Sequence, residues 1–224
     1  LEGRILLGDY YAGLEENAMA REQYVAALDR NPAYEVAWLR LGLNDLQAAD
    51  LDEAEKAFRK AIEINPSSYE AYFYRGNIAF ARGNLKEARQ HYEESLKFVL
   101  NFPEAVYALG TVFFREGRND DALEQFEKVL RLNRGSADAY FSRAAIRVQR
   151  RQIRDAIEDY SRAIALYDRQ MDSISKSIEQ YEERGLTRKV DAQRKVMQRL
   201  ETIRERARQQ KMMAEDQSLA PREF

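Results

Sequence analysis

Residues 37–66 read AWLRLGLNDLQAADLDEAEKAFRKAIEINP. The stretch is built from Ala, Leu, Glu, Lys and Arg, the residues that lose least on entering a helix, and Asn65-Pro66 ends it because proline cannot continue one. Gly42, Ala54 and Phe58 call for a different explanation, since glycine weakens a helix interior. Shifting the chain by 34 brings the same trio back. Gly8, Gly42, Gly76 and Gly110 form one column, with Ala144 as its fifth member. Ala20, Ala54, Ala88, Ala122 and Ala156 form a second, and Tyr24, Phe58, Tyr92, Phe126 and Tyr160 a third.

A period of this length with small residues at fixed places marks an array of stacked helical hairpins. Gly42 falls on a first helix of about residues 35–48 and Ala54 on a second of about 51–64, and small side chains let two antiparallel helices cross closely. Phe58 and its equivalents, one turn beyond the alanine, are expected to fill the wedge between one hairpin and the next. A single hairpin buries too little apolar surface, so neighbours complete each core. The hairpins are expected at 1–34, 35–68, 69–102, 103–136 and 137–167. Gly83 and Gly117 fall at the turn inside a hairpin, where a positive φ suits glycine, and Arg151 stands at the same place in the fifth.

The series Trp38, Leu41-Gly42, Ala54, Phe58, Ala61 and Pro66 resembles the tetratricopeptide repeat family. Asp45 stands where that family has tyrosine, Arg75 and Arg143 where it has leucine, and Arg147 again at the tyrosine. The resemblance covers residues 1 to about 167. It implies an all-α, right-handed α-solenoid and a non-catalytic scaffold or adaptor that binds other proteins. Some members clamp the C-terminal carboxylate of chaperone tails with Lys, Asn and Arg on three successive first helices. Here those places hold Ile5, Asp9, Arg40, Glu70 and Tyr74, so that ligand is disfavoured.

Beyond the repeats, Met171, Ile174, Ile178 and Tyr181 make an apolar stripe, Gly185 interrupts it, and Val190, Met197, Leu200, Ile203 and Ala207 make a second. Residues 168–214 are therefore expected to be a degenerate sixth hairpin or capping helices, and 215–224 a mobile tail. Residues 184–211 carry 10 Lys and Arg against 3 Asp and Glu, although the whole chain is nearly neutral at −2. A basic helix of this kind can follow a phosphate backbone, but no aromatic lies between Tyr181 and Phe224 to stack on bases. Nucleic acid is accordingly the secondary expectation, beside self-association through the stripe from Val190 to Ala207.

The remaining chemistry is sparse. The chain has no cysteine, which excludes disulfides and thiolate ligands, and its one histidine, His91, lies among Gln90, Tyr92 and Glu93 on a helix. No HExxH, GxSxG or phosphate-cradling glycine loop occurs, so neither catalysis nor a cofactor is expected. No apolar run approaches the roughly 18 residues of a membrane helix, and the expected setting is a soluble one, cytoplasmic or periplasmic. The first helices of such an array line its inner face. Projection of the period places Leu39, Phe73, Tyr107 and Phe141 in one row, Phe80 and Phe114 two turns on, and Leu43, Asn77 and Thr111 between them. This surface is expected to hold an apolar or helical segment of a protein partner, the polar members gripping its backbone. The chain's own C-terminal helices are one candidate occupant.

Overall fold

The structure, a computed structural model, describes residues 1–219. Among these residues it contains eleven α-helices and no strand: α1 (Glu2–Gly13), α2 (Asn17–Leu28), α3 (Glu35–Gln47), α4 (Leu51–Ile64), α5 (Tyr69–Ala81), α6 (Leu85–Phe98), α7 (Pro103–Arg115), α8 (Asn119–Leu132), α9 (Ala137–Gln149), α10 (Ile153–Glu183) and α11 (Thr187–Leu219). They form two compact units, Leu1–Glu116 and Gly117 onward.

In the first unit α1 packs on α2, α3 on α4 and α5 on α6, and each second helix also packs on the first helix that follows it. The glycine column owes its existence to the aromatic column. A Cβ placed on Gly8, Gly42 or Gly76 would lie 2.4 Å from Tyr24, 2.7 Å from Phe58 or 2.5 Å from Tyr92. The ring of each second helix therefore lies against the bare backbone of its own first helix. Phe58 also stacks on Tyr74 of the next hairpin at 5.3 Å, so one side chain joins two hairpins.

The turns inside the hairpins repeat as strictly as the cores do. Glu15, Ala49, Gly83, Gly117 and Arg151, each 34 residues apart, all take a left-handed φ between 58° and 80°. Glycine fills that place in two turns, and in the other three a side chain is held in a conformation that costs an L-residue about 1–2 kcal/mol.

In the second unit no break follows Tyr167. From Ser136 to Arg184 the chain has no Gly or Pro, and α10 runs unbroken from Ile153 to Glu183. The helix α11 returns antiparallel along it: Arg194 pairs with Glu182 near the turn at 2.7 Å, and Arg204 pairs with Asp168 farther on at 3.0 Å. Of the expected stripe on α11, Val190 and Ala207 are buried and Met197 and Leu200 partly buried, while Ile203 is exposed and Ala214 joins the buried set. Residues 215–219, expected to be a mobile tail, form the end of α11, and 220–224 lie outside the described residues.

The buried positions of α11 explain its placement. Ala207 and Ala214 lie two whole periods beyond Ala139 and Ile146, the fully buried residues of α9. Arg206 reaches back to the Phe141 ring on α9 at 5.9 Å, just as α3 touches both α2 and α1. The C-terminal half of α11 thus has the register of a sixth first helix. One extra period of chain, spent on extending α10 and returning, precedes it.

Candidate functional site

The expected groove residues of the first unit lie on α3, α5 and α7, and the structure sorts them into different roles. Leu39 is buried, 7% exposed, in a cluster with Ala54, Phe58, Ala61 and Ala71, so it belongs to the core. Phe73 packs among Phe102 at 5.0 Å, Tyr74 at 5.2 Å and Tyr92 at 5.9 Å, which makes it largely a packing residue as well. Leu43, Phe80, Tyr107 and Phe114 remain partly exposed, and the Arg115 guanidinium lies 5.9 Å from the centre of the Phe80 ring. Phe141 belongs to the second unit, where it meets Tyr160 edge-on at 5.6 Å and Arg206 covers its ring. In that unit the C-terminal helix touches one of the expected groove residues through Arg206.

The polar inner positions are already engaged. Tyr24 donates its hydroxyl hydrogen to Asp9 at 2.8 Å, and Tyr92 donates to Asn77 at 2.8 Å. In the hairpin between them both partners are apolar, Leu43 and Phe58. In the first and third hairpins the inner residue is thus the acceptor that a buried ring hydroxyl must find, whereas in the fifth Ala145 stands opposite Tyr160. Burial pushes the Tyr24 and Tyr92 phenols well above the ordinary range, and the Asp9 carboxylate adds to the effect at Tyr24. Thr111 donates to the Tyr107 carbonyl of its own helix at 3.0 Å. What remains for a ligand is an apolar surface with few free polar groups. The sequence holds part of the signal for this, since hydroxyl and acceptor change together over the first three hairpins.

The basic segment also differs from its reading in isolation. Besides Arg194 and Arg204, Arg208 lies 3.9 Å from Asp168, Lys211 lies 3.3 Å from Glu215, and Lys189 stands 5.5 Å from the Tyr181 ring. The two helices together hold 13 Lys and Arg against 13 Asp and Glu, so α10 neutralises the charge of α11. His91 is half-buried at 3.6 Å from Glu87 and near Tyr72. Burial holds its pKa below the ordinary value, and the Arg75 cation adds to this. Among the described residues no group of three His, Cys, Asp or Glu side chains is placed to hold a metal ion, and no helix is long and apolar enough to cross a membrane.

Comparison with known proteins agrees with this geometry. The tetratricopeptide repeat family model matches residues 39–99 and 107–171, more than half of the chain. The chain belongs to the tetratricopeptide repeat family. Members of this family are generally protein-interaction scaffolds. Among solved structures, PilF of Pseudomonas aeruginosa is 21% identical with a TM-score of 0.70, covering 89% of this chain and 90% of PilF. MamA is 21% identical with a TM-score of 0.65, covering 73% of this chain and 96% of MamA. YrrB, a tetratricopeptide repeat protein with an unusual peptide-binding site, is 22% identical with a TM-score of 0.59 over 73% of this chain and 84% of its own. At these identities the likeness is one of fold. No curated protein matches the chain in sequence.

Proposed function

We propose that the chain is a non-catalytic adaptor that holds an apolar or helical segment of another protein against the first-helix face of its N-terminal unit. The observation that carries this reading is the set Leu43, Phe80, Tyr107 and Phe114, large apolar or aromatic side chains left partly open on successive first helices. Clusters of this kind on a soluble domain favour association, and a hairpin array presents them on a preformed backbone, so little ordering entropy opposes binding. Because the neighbouring acceptors already serve Tyr24 and Tyr92, the grip rests on side-chain burial more than on hydrogen bonds to a peptide backbone. YrrB supports the reading as a relative in fold that binds a peptide.

The test is site-specific photocrosslinking in the source cells, with a benzophenone amino acid at position 80 or 114 and, as control, at the exposed position 90 on α6. Discrete protein adducts from 80 and 114 that are absent from 90 are expected. Indistinguishable adduct patterns at all three positions overturn the reading.

A further inference from the structure

The feature left over from the sequence is Asp45. Its column reads Tyr11, Asp45, Ala79, Phe113 and Arg147, so an acid occupies a place that holds an aromatic ring in the first and fourth hairpins. The missing ring leaves room. Between α2 and α4, on the side of the second helices, lies an open pocket of about 540 Å³. Its apolar wall includes Val25, Leu41, Ala57 and Trp38, the only tryptophan of the chain. The Trp38 indole N–H donates to the Pro32 carbonyl at 2.8 Å, which fixes the ring against this wall.

Asp45 lines the same pocket and is 3% exposed. Its Oδ1 accepts from Arg21 Nη1 at 2.7 Å, whereas Oδ2 is shielded and has no hydrogen-bond partner within the protein. A buried carboxylate oxygen without a donor is costly, and few native groups stay in that state without a reason. Arg21, the partner of Oδ1, lines the pocket beside it. Its side chain is 42% exposed and its second terminal nitrogen already lies 3.7 Å from Glu53, so it can turn to Glu53 and open the way to Asp45. The charged residues of the lining are Asp29, Asp45 and Glu53 against Arg21 and Lys56, which leaves one negative charge in excess.

We propose that this pocket binds a monocation carried on an apolar body, an ammonium or guanidinium next to an aliphatic or aromatic group, with Asp45 as counter-ion and Trp38 as wall. The guest donates to Asp45 Oδ2, its apolar part covers Trp38, and Arg21 keeps an ion pair with Glu53. A free arylalkylamine and a basic side chain of a protein partner share this chemistry. The site lies apart from Leu43, Phe80 and Phe114 and stands whether or not those residues hold a partner. Burial already disfavours the Asp45 carboxylate, which a bound cation would relieve.

Trp38 reports on the site directly, because its fluorescence is the only tryptophan signal of the chain. Phenethylamine and a capped leucyl-lysyl-leucine peptide serve as the two probes, with phenethyl alcohol and 3-phenylpropanoate as uncharged and anionic controls. A saturable change in Trp38 emission is expected with at least one cationic probe below about 10 mM, and which probe binds more tightly separates the two sources. Asp45→Asn, equal in size, should weaken binding at least about tenfold, since a charge-assisted bond is lost. Arg21→Ala, which removes the competing cation, should strengthen it several-fold. Asp45→Tyr should refill the pocket and abolish the response while keeping the fold, as the same column accepts Tyr11 and Phe113. The proposal is overturned by the absence of any saturable change with either cation, by equal binding of phenethyl alcohol, or by Asp45→Tyr and Arg21→Ala binding as the natural chain does.

Discussion

The first helix of the chain and the last one occupy the same columns of the repeat and experience opposite surroundings. On α1 the places equivalent to Ala37 and Asn44 hold Gly3 and Tyr10, and both are exposed, Tyr10 at 62% and its neighbour Leu6 at 69%. On α11 the same places hold Ala207 and Ala214, both buried against α10. Burial of a column is thus not a property of the helix that carries it. It is conferred by the second helix lying in front, which α11 has and α1 lacks among the described residues.

The largest expected effect tests that contrast within a single column. Ala207→Asp places a carboxylate where no exposed surface remains, and should cost about 3 kcal/mol or more of unfolding free energy. Gly3→Asp, two hundred and four residues earlier in the same column, has nothing within 4 Å of its Cβ and adds an acid to a helix N-terminus, so it should change stability by less than about 0.5 kcal/mol. Guanidinium unfolding followed by circular dichroism measures both. Similar losses at the two positions would break the comparison.

The second effect sharpens it at the fifth hairpin, where ion pairs replace the usual apolar contacts. Arg143 and Arg147 on α9 both reach Asp159 on α10 at 2.8 Å, and Asp159 is 1% exposed. Arg143 also lies 5.5 Å from the Tyr140 ring. Asp159→Ala leaves two largely buried guanidinium groups without their anion and should cost about 3–5 kcal/mol. The triple change Arg143→Leu, Arg147→Tyr and Asp159→Ala restores the residue types these columns hold at Leu41, Tyr11 and Ala57, and should return stability to within about 1 kcal/mol of the starting chain. Loss of the same size in the single and triple variants would show that the site needs charge. The smallest effect concerns Gly42→Ala, whose Cβ must displace the buried Phe58 ring from 2.7 Å; thermal unfolding should register a loss of about 1–3 kcal/mol.

Much of this architecture is legible in the sequence, and the reasons are local. Gly42 and Phe58 repeat because bare backbone and flat ring must meet in every hairpin, so geometry writes itself into composition at a fixed interval. The pairings Asp9 with Tyr24 and Asn77 with Tyr92 are legible too, once two columns are read together. The place of α11 is hidden for a physical reason. Its docking residues return only after one additional period, although the absence of Gly and Pro between Ser136 and Arg184 already allows α10 to run on. The core assignment of Leu39 and the pocket at Asp45 were out of reach for another reason. Each depends on how much volume the surrounding rings fill, which spacing along one helix does not contain.

The uninterrupted α10 carries one more implication. From Asp168 to Glu183 it advances about 1.5 Å per residue, roughly 24 Å past the point where the earlier second helices end, and α11 braces it along the way. Such a paired strut resists bending far better than a loop of equal length. Anything seated at the bend near Gly185 would therefore be kept at a set stand-off from the fifth hairpin, which turns the last part of this chain into a spacer of fixed reach.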